Sequence, residues 1–210
     1  MKNNVILFDF DGTLIHFNTN KLDLESLRHQ MLDLTAQFGF ANQTNSIFGM
    51  YSEFLKYSGF ASELSTRARA LISKYESLML ESGYHLLVDI QLVKKIRNIG
   101  YKLGIVSNNG IRLVNDIITT NFKGIAFDVV VTRDDVCQIK PSPIPLEKAF
   151  YKINEELNLD IKAYYFGDSE TDNQATNNFN SRNNCKILFL KVNQLNKALT
   201  DINLILPTIL

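Results

Sequence analysis

Val5-Ile6-Leu7-Phe8-Asp9-Phe10-Asp11-Gly12-Thr13 sets four consecutive apolar residues directly against two aspartates and a glycine. An unbroken apolar run of this length is the pattern of a strand buried on both faces, since a half-exposed strand alternates apolar with polar residues. Four more runs share the pattern: 103–106 before Ser107, 129–131 before Thr132, 164–166 before Gly167 and Asp168, and 187–190 before Lys191. Together they predict a parallel sheet covered by helices.

Helical periodicity lies between the runs. Ile90, Val93, Ile96 and Ile99 share a helical face ahead of Gly100, a residue suited to ending a helix. Ile111, Val114, Ile117 and Ile118 form a second stripe. Leu146, Ala149, Phe150, Ile153 and Leu157 form a third behind Pro141, Pro143 and Pro145, which suit a loop and a helix start. The alternation predicts an α/β fold, a three-layer, Rossmann-like parallel sheet core.

The stretch 16–84 breaks that alternation, with no buried-strand run and three helical stripes. These are Leu24, Leu27, Met31, Leu34 and Phe38; Ile47, Phe48, Tyr51, Phe54 and Leu55; and Leu64, Ala68, Leu71, Ile72, Tyr75 and Met79. The expected organisation is a core domain of residues 1–15 and 85–210, with an all-helical cap, 16–84, inserted after the first strand. Residues 173–184, half of them asparagine, are expected to be loop or frayed helix.

At 210 residues the chain supports one substantial core and a smaller lobe. Its 22 basic and 22 acidic residues cancel, which argues against a nucleic-acid surface or a polybasic membrane patch. No apolar stretch approaches the roughly 18 residues of a membrane span, and the run at 5–8 is too short for a secretion signal. Cys137 and Cys185 lack metal-ligand spacing, so no zinc site is expected and a reducing, cytoplasmic compartment is.

Ligands of an open parallel sheet bind beyond the carboxyl ends of its strands. That rule collects Asp9, Asp11, Ser107, Asn108, Thr132 and Asp168 from distant parts of the sequence. Asp9 and Asp11 project to the same side of extended backbone, and Gly12 permits a sharp exit. With Asp168 they make a hard-oxygen site that Mg2+ fits best, because it takes a few carboxylates, waters and a substrate phosphate. A carboxylate approaching a phosphate dianion meets repulsion, which the cation and a lysine, Lys140, offset. Ser107 and Asn108, where a strand meets a helix, are expected to hold phosphate oxygens at the positive helix end. The expected chemistry is phosphoryl transfer, with a small phosphorylated metabolite as the expected partner.

DFDGT at 9–13, Ser107 in VSNN, Lys140 in KPSP and GDSETD at 167–172 resemble, in order, the four motifs of the haloacid dehalogenase (HAD) superfamily. With the insertion between the first two motifs, the chain is similar to the type 1 helical-cap group of phosphoglycolate phosphatases and β-phosphoglucomutase. The resemblance implies a Mg2+-dependent phosphatase in which Asp9 attacks phosphorus and forms an aspartyl-phosphate. Asp11 would first protonate the leaving oxygen and then deprotonate the attacking water.

The resemblance also implies Mg2+ held by Asp9, the backbone carbonyl of Asp11, and Asp168. Asp172 would orient Lys140 or a water on the metal, and Thr13 would support the loop around Asp11. Ser107, Asn108 and Lys140 would hold the transferring phosphoryl group. An acid at position 11 sets the chain apart from the family's dehalogenases, and TRDDV with KPSP and GDSETD resembles the phosphoglycolate phosphatase branch, which makes 2-phosphoglycolate the first substrate expectation. A sugar phosphomutase of the β-phosphoglucomutase kind uses the same motifs. A binding or regulatory protein that keeps the fold without turnover is the reading from another class, and the intact motifs argue against it. A monomer or homodimer is expected.

Other residues receive plainer readings. Thr132, Arg133 and Asp135 read as loop and cap residues, and Arg28, Arg67, Arg69 and Lys74 as a solvated helix face. Asp172 also suits a helix cap, and Ser107 suits capping the helix that follows it. His16 and His29 have no partner spacing and no assigned role.

Overall fold

A computed structural model describes residues 4–19, 22–153 and 162–192. Along the chain come β1 (Val5–Phe8), β2 (Ile15–Phe17), α1 (Leu24–Gln37), α2 (Ile47–Ser58), α3 (Glu63–Ser82) and β3 (Tyr84–Leu86). There follow α4 (Ile90–Asn98), β4 (Lys102–Val106), α5 (Ile111–Asn121), β5 (Val129–Val131), α6 (Ile144–Ile153), β6 (Ala163–Gly167), α7 (Glu170–Arg182) and β7 (Ile187–Lys191).

The five apolar runs form one parallel sheet in the order β5-β4-β1-β6-β7. β1 is central and all four of its residues are fully buried, which is why its sequence shows no polar alternation. Phe8 lies opposite both Ile105 and Phe166. Asp9, Ser107 and Asp168 therefore leave the sheet at the same edge, and this register gathers the site. Right-handed crossovers put α4 and α5 on one face and α6 and α7, which touch each other, on the opposite face. The fold is the expected three-layer, Rossmann-like α/β core.

Helices α1, α2 and α3 pack on one another through Leu27, Met31, Met50, Tyr51, Phe54, Ala68 and Ile72. Asp23, Ser46 and Ser62 cap their starts by accepting the backbone N–H of Ser26, Gly49 and Ser65. The expectation that 16–84 holds no strand is corrected at both ends. β2 and β3 pair antiparallel, His16 opposite His85, as a two-stranded ribbon flanking the three helices. In β2 the buried residues Ile15 and Phe17 flank exposed His16, so no continuous apolar run marks it.

Two helix expectations also change. Ile99 is exposed, because α4 stops at Asn98 and Gly100 turns the chain at φ +97°, while Leu92 takes a buried position. Residues 173–182 are regular helix: a Ser169–Asp172 capping box starts α7, and buried Ala175, Thr176 and Phe179 anchor it. Most of the asparagines line its outer side, and Asn180 exchanges hydrogen bonds with the backbone of Ile187 at 2.8 Å. Leu157 lies outside the described residues. Among the described residues no helix is long and apolar enough to cross a membrane.

Candidate active site

Asp9 extends β1 by one residue, its N–H donating to the Phe166 carbonyl at 2.7 Å. Its carboxylate accepts from Lys140 Nζ at 2.6 Å, and the same ammonium reaches Asp172 Oδ1 at 2.6 Å, Tyr165 Oη at 2.8 Å and the Val106 carbonyl at 3.1 Å. Asp9, Lys140 and Asp172 are all buried. A buried ammonium needs this company, since unpaired it would lose its proton. Burial works against the Lys140 charge, but Asp9 and Asp172 outweigh it and lift its pKa above the ordinary lysine value.

The carboxylates divide by environment. Burial raises the Asp9 pKa to about 7 against the pull of Lys140, with Asp172 adding repulsion. Asp11 is raised to about 6, again chiefly by burial, with His16 pulling it down and Asp168 pushing it up. Asp168, at the solvent rim, is raised by burial and by Asp172. Asp172 goes the other way: burial favours its neutral form, but Lys140, Ser169 and Tyr165 hold it ionised.

Local backbone explains how the acids approach. Gly12 adopts φ +81°, and a Cβ there would lie 2.3 Å from Asp168 Oδ2, so only glycine lets the loop carrying Asp11 close on Asp168. Asp172 is both cap and partner: its Oδ2 accepts from Ser169 N at 3.2 Å and Oγ at 2.5 Å, while its Oδ1 takes Lys140. Oxygens of Asp9, Asp168 and Asp172 lie within 4.8 Å of one another. Three carboxylates against one ammonium leave two negative charges on hard oxygen donors, which suits a divalent cation. The Asp11 side chain stands outside this cluster.

Ser107 and Asn108 follow β4, as expected, and both line the cavity. Ser107 Oγ donates to Asn109 Oδ1 at 2.8 Å and accepts from Asn109 N at 3.1 Å, and it does not cap α5. The Asn108 side chain exchanges hydrogen bonds with the Lys140 backbone at 3.0 and 3.1 Å. What Asn108 still offers an anion is its backbone N–H. At the start of α5, Gly110 N donates to Glu76 and Ile111 N to Asp134, both at 2.9 Å. Two carboxylates of the chain already fill the start of α5. Thr13 is fully buried and its hydroxyl has no hydrogen-bond partner among the described residues.

Asp9, Asp11, Ser107, Asn108, Lys140, Asp168 and Asp172 line a cavity of about 490 Å3 whose other wall comes from the residues before and within α2, among them Thr44, Ser46, Phe48, Ser52, Glu53 and Lys56. Arg28, Arg67, Arg69 and Lys74 are not part of that wall. Arg28 and Arg67 pair with Glu25 and Glu63, and Arg69 packs over the Phe60 ring. The sequence reading missed Tyr165, hidden as one more aromatic in a strand, and Lys56, one lysine among many. It also took buried Arg133 for a loop residue.

Carboxylates gathered about a buried lysine, beyond the carboxyl edge of a parallel sheet, are the chemistry of α/β enzymes that transfer phosphoryl groups. Comparison agrees. Residues 6–183 match the model of the haloacid dehalogenase-like hydrolase family. Pyrophosphatase PpaX of Bacillus mycoides is 32% identical over 159 residues, covering 71% of this chain and 68% of that protein. Two solved structures share the fold. A candidate phosphoglycolate phosphatase from Lactobacillus plantarum has a TM-score of 0.53 at 20% identity, covering 91% of this chain and 87% of the other. CbbY from Rhodobacter sphaeroides, solved with phosphate, has a TM-score of 0.56 at 20% identity and the same two coverages, 91% and 87%. The chain belongs to the haloacid dehalogenase-like hydrolase family, and it is an enzyme of that family's phosphatase kind.

Proposed function

We propose that the protein hydrolyses a small phosphate monoester by covalent phosphoryl transfer to Asp9, with Mg2+ as the divalent cation. The observation that carries this reading is the Asp9–Lys140–Asp172 cluster, hydrogen-bonded at 2.6 Å on both sides of the ammonium, at the floor of a cavity that Asp11 also lines. The core would be residues 1–15 and 85–210 and the cap 16–84, with the cavity wall around α2 meeting the substrate. The compartment would be cytoplasmic.

Asp9, Asp168 and the Asp11 carbonyl would hold the cation, and its charge would favour ionised Asp9 and oppose the repulsion of the phosphate dianion. Asp9 attacks phosphorus while the bond to the leaving oxygen breaks, giving an aspartyl-phosphate. Asp11, with a pKa raised to about 6, donates the proton to the leaving oxygen and then takes one from the water that attacks the same phosphorus. That second displacement releases inorganic phosphate and restores Asp9. Asp172 keeps Lys140 charged and aimed at Asp9 throughout. Ser107, the Asn108 N–H and Lys140 offset the charge on the phosphoryl oxygens.

The substrate reading is a phosphate that carries a second anionic group, 2-phosphoglycolate first. Lys140 is engaged by two carboxylates, whereas Lys56 is the other lysine of the described cavity wall and lies opposite the acidic floor. The name of the PpaX relative points to a doubly anionic substrate as well. The test is Mg2+-dependent phosphate release from p-nitrophenyl phosphate, 2-phosphoglycolate and pyrophosphate. Asp9→Asn is expected to abolish all of it, and turnover surviving that change would remove Asp9 from the mechanism.

A further inference from the structure

The phosphatase reading leaves unused the largest fully buried side chain among the described residues, Arg133. Its guanidinium grips Glu76 of α3 with both terminal nitrogens, Nη2 to Oε2 at 2.7 Å and Nη1 to Oε1 closer still. Arg133 Nη2 also donates to Ser73 Oγ at 2.8 Å, and Nη1 reaches the Asn108 carbonyl at 3.5 Å. Glu76 Oε1 in turn accepts the Gly110 N–H at 2.9 Å and approaches Asn109 Nδ2 at 3.5 Å. Asn109 is the residue whose side chain and N–H hold Ser107 Oγ.

The contacts form one hydrogen-bonded path from α3 to the loop 107–110. Position 110 is shaped for it: a Cβ there would lie 2.6 Å from Arg133 Nη2 and 2.9 Å from Glu76 Oε2. α5 has no side-chain cap from its own sequence, and a carboxylate 34 positions away supplies one. A buried ion pair is weak evidence for stability, because apolar residues of similar volume often serve as well or better. Its geometry does impose position, through two forked bonds and a backbone contact.

We propose that Glu76 is a positioning residue: anchored by Arg133, its carboxylate fixes the loop 107–110 and couples the packing of α3 to the affinity for the phosphoryl group. The inference rests on the proposed use of Ser107 and Asn108 as phosphate ligands. In Glu76→Gln, one acceptor oxygen becomes an amide NH2 that cannot accept from Arg133, and the remaining oxygen is left to serve Arg133 and the Gly110 N–H without a charge, so the anchor of the loop is weakened.

The experiment compares wild type, Glu76→Gln, Arg133→Met and the double variant Glu76→Leu/Arg133→Met. It reads melting temperature, KM and kcat for p-nitrophenyl phosphate, and inhibition by inorganic phosphate. Each single variant is expected to melt lower and to bind phosphate about tenfold more weakly, having lost charge-assisted bonds. The double variant is expected to regain the melting temperature while its phosphate inhibition stays weak. Recovery of both in the double variant, or wild-type phosphate inhibition in Glu76→Gln, would reduce the pair to a structural role and overturn the proposal. A wild type that neither turns over the ester nor binds phosphate would instead sink the phosphatase reading, and this inference with it.

Discussion

Lys140 carries a full charge into a pocket where each carboxylate is tuned by a different neighbour. Asp9 and Asp11 are raised by burial to about 7 and about 6 from an ordinary value of 3.8. A group whose folded pKa is raised contributes stability that is complete below its unfolded pKa and is lost as pH rises through the folded one. Without a divalent ion these two residues therefore favour the folded state below about pH 4 and oppose it increasingly through about pH 7. Asp172, lowered by Lys140 despite its burial, contributes above the unfolded value and loses that contribution on acidification. A cation binds the ionised carboxylates, so its stabilisation grows with pH across the same window. Saturating Mg2+ is expected to raise the melting temperature by several degrees at about pH 7.5 and by little at about pH 5. Equal shifts at the two values would contradict the raised pKa of Asp9.

At the scale of elements, α7 begins where β6 ends, and its first turn is part of the site. Ser169 accepts the Asp172 N–H at 3.2 Å while Asp172 accepts back, so one capping box starts the helix and aims the carboxylate at Lys140. Ser169→Ala removes the cap, at a cost of about 1 kcal/mol, or roughly 2–4 °C in melting temperature for a chain of this size. It is also expected to lower kcat, because Asp172 loses its 2.5 Å bond from Ser169 Oγ. A calorimetric scan beside steady-state kinetics checks both; unchanged kcat with a lowered melting temperature would separate the cap from the chemistry. The same box explains why asparagine-rich 173–182 is helix. Composition argued for loop, but a strong start and three buried residues on one face decided otherwise.

For the whole molecule, the cavity is the level at which substrate choice belongs, because its floor comes from the sheet edge and its opposite wall from the region of α2. Lys56→Ala is expected to raise KM for 2-phosphoglycolate about tenfold and leave p-nitrophenyl phosphate nearly unchanged, since only the former presents a second anion. Parallel kinetics on the two substrates test this; an equal effect on both would take Lys56 out of substrate selection. The five strands, their helices and the emergence of Asp9, Ser107 and Asp168 at strand ends were legible in the sequence, because each is written in a local period of apolar residues; the edge strand β7 is the exception to burial on both faces, with Leu188 56% exposed. Family motifs then assigned Lys140 and Asp172, which the structure brings within 2.6 Å. Tertiary structure alone decided that Asn108 binds the Lys140 backbone, that Tyr165 reaches the lysine, and that Glu76 fills the start of α5 beside Arg133. The last pair is separated by 57 positions. A local pattern records which face of an element is buried; it holds no term for which buried polar groups from distant elements must satisfy one another, and folding settles that by excluding water from all of them at once.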